Sequence, residues 1–77
     1  MELRVTTDDV VVLQLSIEES DRILGTNTER NAILHDIYFF ADDFFMQYDV
    51  DLEVRLDIGE PYGILHKEAV GRYDWRK

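Results

Sequence analysis

Adjacent carboxylates are the first residues of this 77-residue chain whose types could support chemistry. Asp8-Asp9 and Asp42-Asp43 are neighbouring pairs, and paired carboxylates can transfer protons or hold Mg²⁺. Neighbouring side chains on a helix point about 100° apart, so Asp42 and Asp43 cannot chelate an ion by themselves. Asp8 and Asp9 lie in a turn-forming stretch, where aspartate side chains bond to their own backbone. Both pairs therefore predict solvated surface.

A further set of carboxylates alternates along one predicted strand. A hard cation could bind to their shared wet face, which gives a small metal-dependent protein as one alternative. The calcium-loop pattern D-x-[DN]-x-[DN]-G with its distant glutamate is absent, so we expect neither a metal nor a cofactor. These strand carboxylates are Asp49, Asp51, Glu53 and Asp57, with Arg55 among them.

No other residues form a catalytic constellation. The two histidines have neither a cysteine partner nor HExxH spacing, and neither serine lies in a G-x-S-x-G context. The glycines are not followed by the G-K-[ST] of a phosphate loop. We therefore expect a non-enzymatic protein without catalytic residues.

One long amphipathic helix, over residues 28–50, must organise the core. At about 100° per residue, its apolar side chains fall in one sector roughly 160° wide. The opposite face is rich in carboxylates but also carries an apolar line that we call the seam: Ala32, Phe39 and Met46, spaced seven residues apart. Either another part of this chain covers the seam, or a partner or a second copy does. The core-facing residues are Ile33, Leu34, Ile37, Tyr38, Phe40, Ala41, Phe44, Phe45 and Tyr48.

Charge and composition exclude several classes of function. Seventeen acidic and eight basic residues give a net charge of −9, which argues against direct binding to nucleic acid or anionic lipid. Without cysteines, neither a disulfide framework nor a thiolate zinc site can form. No apolar run is long enough to cross a bilayer, and the N-terminus lacks the features of a signal peptide, so we expect a cytoplasmic protein. The short chain beginning at Met1 suggests a prokaryotic or phage product.

The remaining elements follow from alternation and capping. Residues 2–6 and 10–16 predict a hairpin. The spacing of Ser16 and Glu19 predicts a capping box for a short helix over residues 17–24, closed by Gly25 in the left-handed conformation. A second box from Thr26 and Glu29 precedes the long helix. Strict alternation over residues 51–58 predicts a strand that buries Leu52, Val54, Leu56 and Ile58.

These elements predict an α+β fold with a small, mostly antiparallel sheet of three or four strands in the order ββααβ(β), packed on one side by the long amphipathic helix. Residues 62–77 form either an edge strand or a tail. The chain has no repeat or linker, so residues 1–77 are expected to be a single domain.

The leading functional hypothesis is a small acidic protein-binding module, an inhibitor or immunity-type factor, that docks on a basic and possibly nucleic-acid-binding surface of another protein. One alternative is a homo-oligomeric structural or accessory subunit, a homodimer that pairs through the Phe39 and Met46 seam. The other alternative is the metal-dependent protein described above. The expected partner-binding residues are Ala32, His35, Asp36, Phe39, Asp42, Asp43 and Met46.

Overall fold

The computed structural model describes residues 1–76, which form five strands and two helices. The α+β class expected from the sequence is confirmed. In chain order the elements are β1 (Glu2–Val5), β2 (Val11–Gln14), α1 (Ile17–Ile23), α2 (Asn27–Gln47), β3 (Leu52–Arg55), β4 (Pro61–Ala69) and β5 (Arg72–Arg76).

The strands form one mixed sheet in the order β1-β2-β3-β4-β5. Three neighbouring pairs are antiparallel, but β2 and β3 are parallel, with Leu13 opposite Val54. The predictions of three or four strands and of the order ββααβ(β) therefore need correction, because the described chain has five strands and one parallel pair. Parallel strands need a long crossover, and α1 and α2 together supply it.

The β1–β2 and β3–β4 hairpins share one turn geometry. The Thr6 amide donates to the Val10 carbonyl at 2.9 Å, and the Leu56 amide donates to the Glu60 carbonyl at 2.8 Å. A residue with positive φ follows in each turn, Asp9 in the first and a glycine in the second. This turn removes Ile58 from the sheet, and its side chain is 72% exposed, so the prediction that Ile58 is buried was wrong. Apolar alternation continues past the end of β3, but the strand does not.

Both predicted capping boxes are present. The Ser16 and Thr26 hydroxyls accept from the Glu19 and Glu29 amides, and each glutamate carboxylate accepts from its cap residue's amide. Gly25 does not adopt a positive φ, which corrects the predicted left-handed closure of α1. A Cβ at Gly25 would lie 2.8 Å from the Glu29 carboxylate. Glycine therefore fits at this position because the Glu29 side chain of the second capping box lies close to its Cα.

The long helix packs on one face of the sheet. It runs from Asn27 to Gln47 rather than over residues 28–50, because Tyr48 already has an extended backbone. Tyr48 is 53% exposed, so the core-facing side of α2 is shorter than predicted. Neither helix within residues 1–76 is long and apolar enough to span a membrane. The buried residues of α2 are Ile33, Ile37, Ala41, Phe44 and Phe45, and those of the strands that join this core are Leu13, Leu52, Val54 and Leu65.

Candidate protein-interaction surface

The outer face of α2 points away from the sheet and exposes its apolar seam. Phe39 is 71% exposed and Met46 is 83% exposed. No part of the chain between residues 1 and 76 covers them, so coverage of the seam by the chain itself was the wrong alternative. All seven residues predicted to bind a partner lie on this face and are exposed: Ala32, His35, Asp36, Phe39, Asp42, Asp43 and Met46.

No basic residue of α2 compensates the negative charge of this face. Between Arg30 and Arg55 the sequence has six acidic residues and no lysine or arginine. Within residues 1–76, Asp36 and Asp43 take part in no ion pair. The last turn of α2 also lacks a basic residue that would favour the negative end of the helix dipole. The helix itself therefore brings no lysine or arginine to its exposed apolar side chains; the basic side chains nearby come from the strands, where Lys67 and Arg72 line the hollows beside Asp42.

This charge has an energetic cost for the helix. Aspartate is a poor helix former, and each one makes a helix about 0.6 kcal/mol less stable than alanine would at the same position. Lysine or arginine one turn away would offset part of that cost, but none is present around Asp36, Asp42 or Asp43. The three aspartates together disfavour the helix by on the order of 2 kcal/mol. They are therefore not explained by the stability of α2.

One flank of the face is tied to the edge strand β5. The Tyr73 hydroxyl donates a short hydrogen bond to the Asp42 carboxylate, and the Trp75 indole Nε1 donates to the Tyr38 hydroxyl at 2.6 Å. The rings of Tyr38 and Tyr73 stack with centroids 6.1 Å apart. Burial raises the pKa of Tyr73 to about 12, and the hydrogen bond and the negative charge of Asp42 act in the same direction. These contacts fix the orientation of α2 relative to β5.

The apolar surface extends beyond the predicted residues. Met46 and Val70 line a hollow of about 210 Å³ between α2 and the β4–β5 turn, and Val70 is 93% exposed. A neighbouring hollow of about 430 Å³ shares Asp42, Gly71 and Tyr73 with it. Sequence reasoning missed Val70 because residues 62–77 were predicted as either an edge strand or a tail, without the turn that joins β4 to β5. The available signal was an apolar residue directly before Gly71, where a turn was to be expected.

The strand carboxylates do not converge. Asp51 contacts the His66 Nδ1 atom at 2.7 Å, and Glu53 pairs with Arg55 at 2.6 Å. Within residues 1–76, no three His, Cys, Asp or Glu side chains are placed to hold a metal ion together. His35 lies on the outer face of α2, far in sequence from this pair. These contacts are those of an ordinary polar sheet surface.

No protein-family model matches the chain, and neither a curated protein nor a solved structure matches it significantly. The surface of the molecule is therefore the basis on which its function is inferred.

Proposed function

We propose that this protein is a small acidic binding module that docks through the outer face of α2 on a basic surface of another protein, as an inhibitor or immunity-type factor does. The observation that supports this function is the coincidence of two features on one face. Phe39 and Met46 are largely exposed, and they are surrounded by aspartates that have no basic neighbours on the helix. Apolar anchors ringed by charge are a common construction of protein interfaces.

The two kinds of residue have separate roles in this proposal. Burying a large apolar side chain contributes about 1.5–3 kcal/mol, so Phe39 and Met46 supply affinity and slow dissociation. Asp36, Asp42 and Asp43 attract a basic partner and raise the rate of association. The charges also select the partner, because a neutral or acidic surface would leave them unpaired.

The spacing of the carboxylates is compatible with a nucleic-acid-binding site on the partner. Asp36 and Asp43 are seven residues apart, which is about 10.5 Å along the helix axis at 1.5 Å per residue. Successive phosphates on one strand are roughly 3.4 Å apart along the axis, so this distance corresponds to about three phosphate steps. The partner's lysines and arginines would then contact carboxylates in place of phosphates.

A second copy of the chain is a weaker candidate for the same face. Two copies meeting at Phe39 and Met46 would bury the apolar seam, but they would also bring both sets of aspartates together. Like charges across an interface oppose association. The negative charge of α2 therefore favours a basic partner over a homodimer at this surface.

Charge-matched variants test the proposal once a partner has been captured from the native host. D36N/D42N/D43N removes three charges from the α2 face, and D8N/D21N/D57N removes three exposed charges elsewhere. We expect the first variant to slow association by roughly tenfold at low salt with little change in dissociation, and the control to have a small effect. Equal effects of the two variants would refute a specific α2 interface and leave only a general influence of net charge.

The same binding assay tests the role of Phe39 and Met46 and the mimicry of phosphates by the aspartates. F39S/M46S should accelerate dissociation while the variant remains folded, and raising the ionic strength should weaken the wild-type complex. If the partner binds DNA or RNA through the contacted site, an oligonucleotide and this protein should displace each other. A ternary complex of all three would rule out mimicry of phosphates.

A further inference from the structure

The free edge of the sheet at β1 is a second surface with exposed apolar side chains. All four residues of β1 are exposed; Leu3 is 42% and Val5 is 62% exposed. Beside it lies a hollow of about 280 Å³ between β1 and α2. It is lined by Leu3, by four residues of the second half of the helix and by the residue that follows the helix: Phe40, Asp43, Phe44, Gln47 and Tyr48. The apolar side of β1 therefore continues onto the aromatic flank of α2.

Within residues 1–76, no other strand pairs with the backbone of β1 along this edge. The Thr6 amide bonds to the Val10 carbonyl, which starts the ladder between β1 and β2. In an antiparallel ladder, alternate residues direct their amide and carbonyl groups to the same neighbour. Glu2 and Arg4 therefore bond towards β2, whereas Leu3 and Val5 direct their amides and carbonyls outwards. An edge of this kind is a template for another strand.

The charges of β1 identify which strand fits. We propose that β1 pairs with β1 of a second copy of this chain, antiparallel, about a two-fold axis at Leu3. In this register Leu3 lies opposite Leu3 of the second copy and exchanges two backbone hydrogen bonds with it. Glu2 lies opposite Arg4 of the second copy, and the two-fold axis repeats that pair. Neither Glu2 nor Arg4 is in an ion pair within residues 1–76.

Two other registers with the same faces aligned are disfavoured. An axis at Arg4 would oppose two arginines, and an axis at Glu2 would oppose two glutamates, and both arrangements are destabilising. The opposite edge, β5, offers less apolar surface to a second copy. Its apolar side chains, Tyr73 and Trp75, are only partly exposed and already bond to residues of α2. The β1 edge combines a free backbone, exposed apolar side chains and self-complementary charge.

This interface lies apart from the α2 seam, and it predicts the opposite response to salt. Each copy carries a net charge of −9, so the two bodies repel one another at low ionic strength. Two exposed ion pairs contribute too little to overcome that repulsion. The dimer should therefore tighten as salt rises, whereas the complex with a basic partner should weaken.

Sedimentation of the untagged chain over a wide range of concentrations tests the proposal. We expect a reversible dimer that R4E weakens roughly tenfold, because each opposite-charge pair becomes a repulsive one. E2R should do the same, and the double swap E2R/R4E should restore the wild-type dimer. Thermal melts establish that each variant is folded, and F39S/M46S is a control that should retain the dimer.

Three outcomes would overturn the proposed pairing of β1 with β1 of a second copy. A wild-type chain that sediments as a monomer at every concentration has no such interface. A folded E2R/R4E variant that fails to recover dimerisation would refute the register. Loss of the dimer in folded F39S/M46S would place the contact at the α2 seam instead of β1.

Discussion

Gly63 in β4 provides a stringent test of the packing between α2 and the last two strands. A Cβ added at Gly63 would lie 2.9 Å from Cε3 and 3.4 Å from Cζ3 of Trp75. The first distance is shorter than an ordinary van der Waals contact by about 0.5 Å or more. Gly63→Ala must therefore displace the indole ring, which also contacts Tyr62 edge-on with ring centroids 5.4 Å apart.

The expected loss of stability follows from competing terms. Overpacking of this kind costs about 1–3 kcal/mol. Displacement of the ring also strains the 2.6 Å hydrogen bond from Trp75 to Tyr38, and such a bond is worth about 1 kcal/mol. Replacing a strand glycine by alanine returns about 0.5–1 kcal/mol of backbone entropy. The net result is a destabilisation of about 1–2 kcal/mol, or a Tm lowered by roughly 5–15 °C.

The single tryptophan is the reporter for this test. Thermal unfolding followed by far-ultraviolet circular dichroism gives the Tm of all four members of the cycle, and the fluorescence of Trp75 gives the solvent exposure of the ring in the two that retain it. W75F is the matched background, because a smaller ring removes the clash and has no N–H to lose. In the W75F background Gly63→Ala should lower the stability little, and the double-mutant cycle then isolates the contact between position 63 and the Trp75 ring. A Gly63→Ala variant as stable as wild type, with unchanged emission, would refute the placement of Trp75 over Gly63.

Two further predictions address the sheet register and the Asp42 contact. Val54→Asp should destabilise the fold by roughly 3 kcal/mol or more in urea unfolding, since Val54 is fully buried. Glu53→Ala should change the stability little. Equal unfolding midpoints for the two variants would show that Val54 does not face the core. Tyr73 should titrate at about 12 by ultraviolet absorbance, and its pKa should fall towards 10 in Asp42→Asn. Because the pKa of Tyr73 is higher in the folded than in the unfolded state, the protonated hydroxyl stabilises the fold fully below pH 10, and this stabilisation is lost as the pH rises towards 12. A Tyr73 pKa that is unaffected by Asp42→Asn would show that burial alone causes the shift.

Elements controlled by neighbouring residues could be predicted from the sequence. The boxes Ser16–Glu19 and Thr26–Glu29 depend on spacings of three residues, and both helices begin where those boxes require. The inward positions of Leu52 and Val54 follow from alternation over a few residues. In each case the determining contact is local, so the pattern contains the information.

Features determined by distant residues could not be predicted in this way. The glycine at Gly63 weakens any local indication of a strand, yet it is accommodated in β4 because Trp75, twelve residues later, covers it. The parallel pairing of β2 with β3 depends on the path of both helices. Ile58 fits the alternation of its strand, but the turn beginning at Leu56 removes it from the sheet. Periodicity reports which side chains share a face and does not report where an element stops.

The outer face of α2 combines two costs that arise from different causes. An exposed Phe39 and Met46 leave apolar surface in water, and Asp36, Asp42 and Asp43 disfavour the helix that carries them. Either cost alone would be unremarkable on a small protein, since isolated exposed apolar residues and solubilising charges are both common. Their coincidence on one face is different, because lysine in place of Asp36 or Asp43 would improve the helix without affecting the core, whereas Asp42 also accepts a hydrogen bond from Tyr73. Local rules that are broken together on one surface are expected at functional sites, and the negative charge of this surface is the reason that we propose a basic partner.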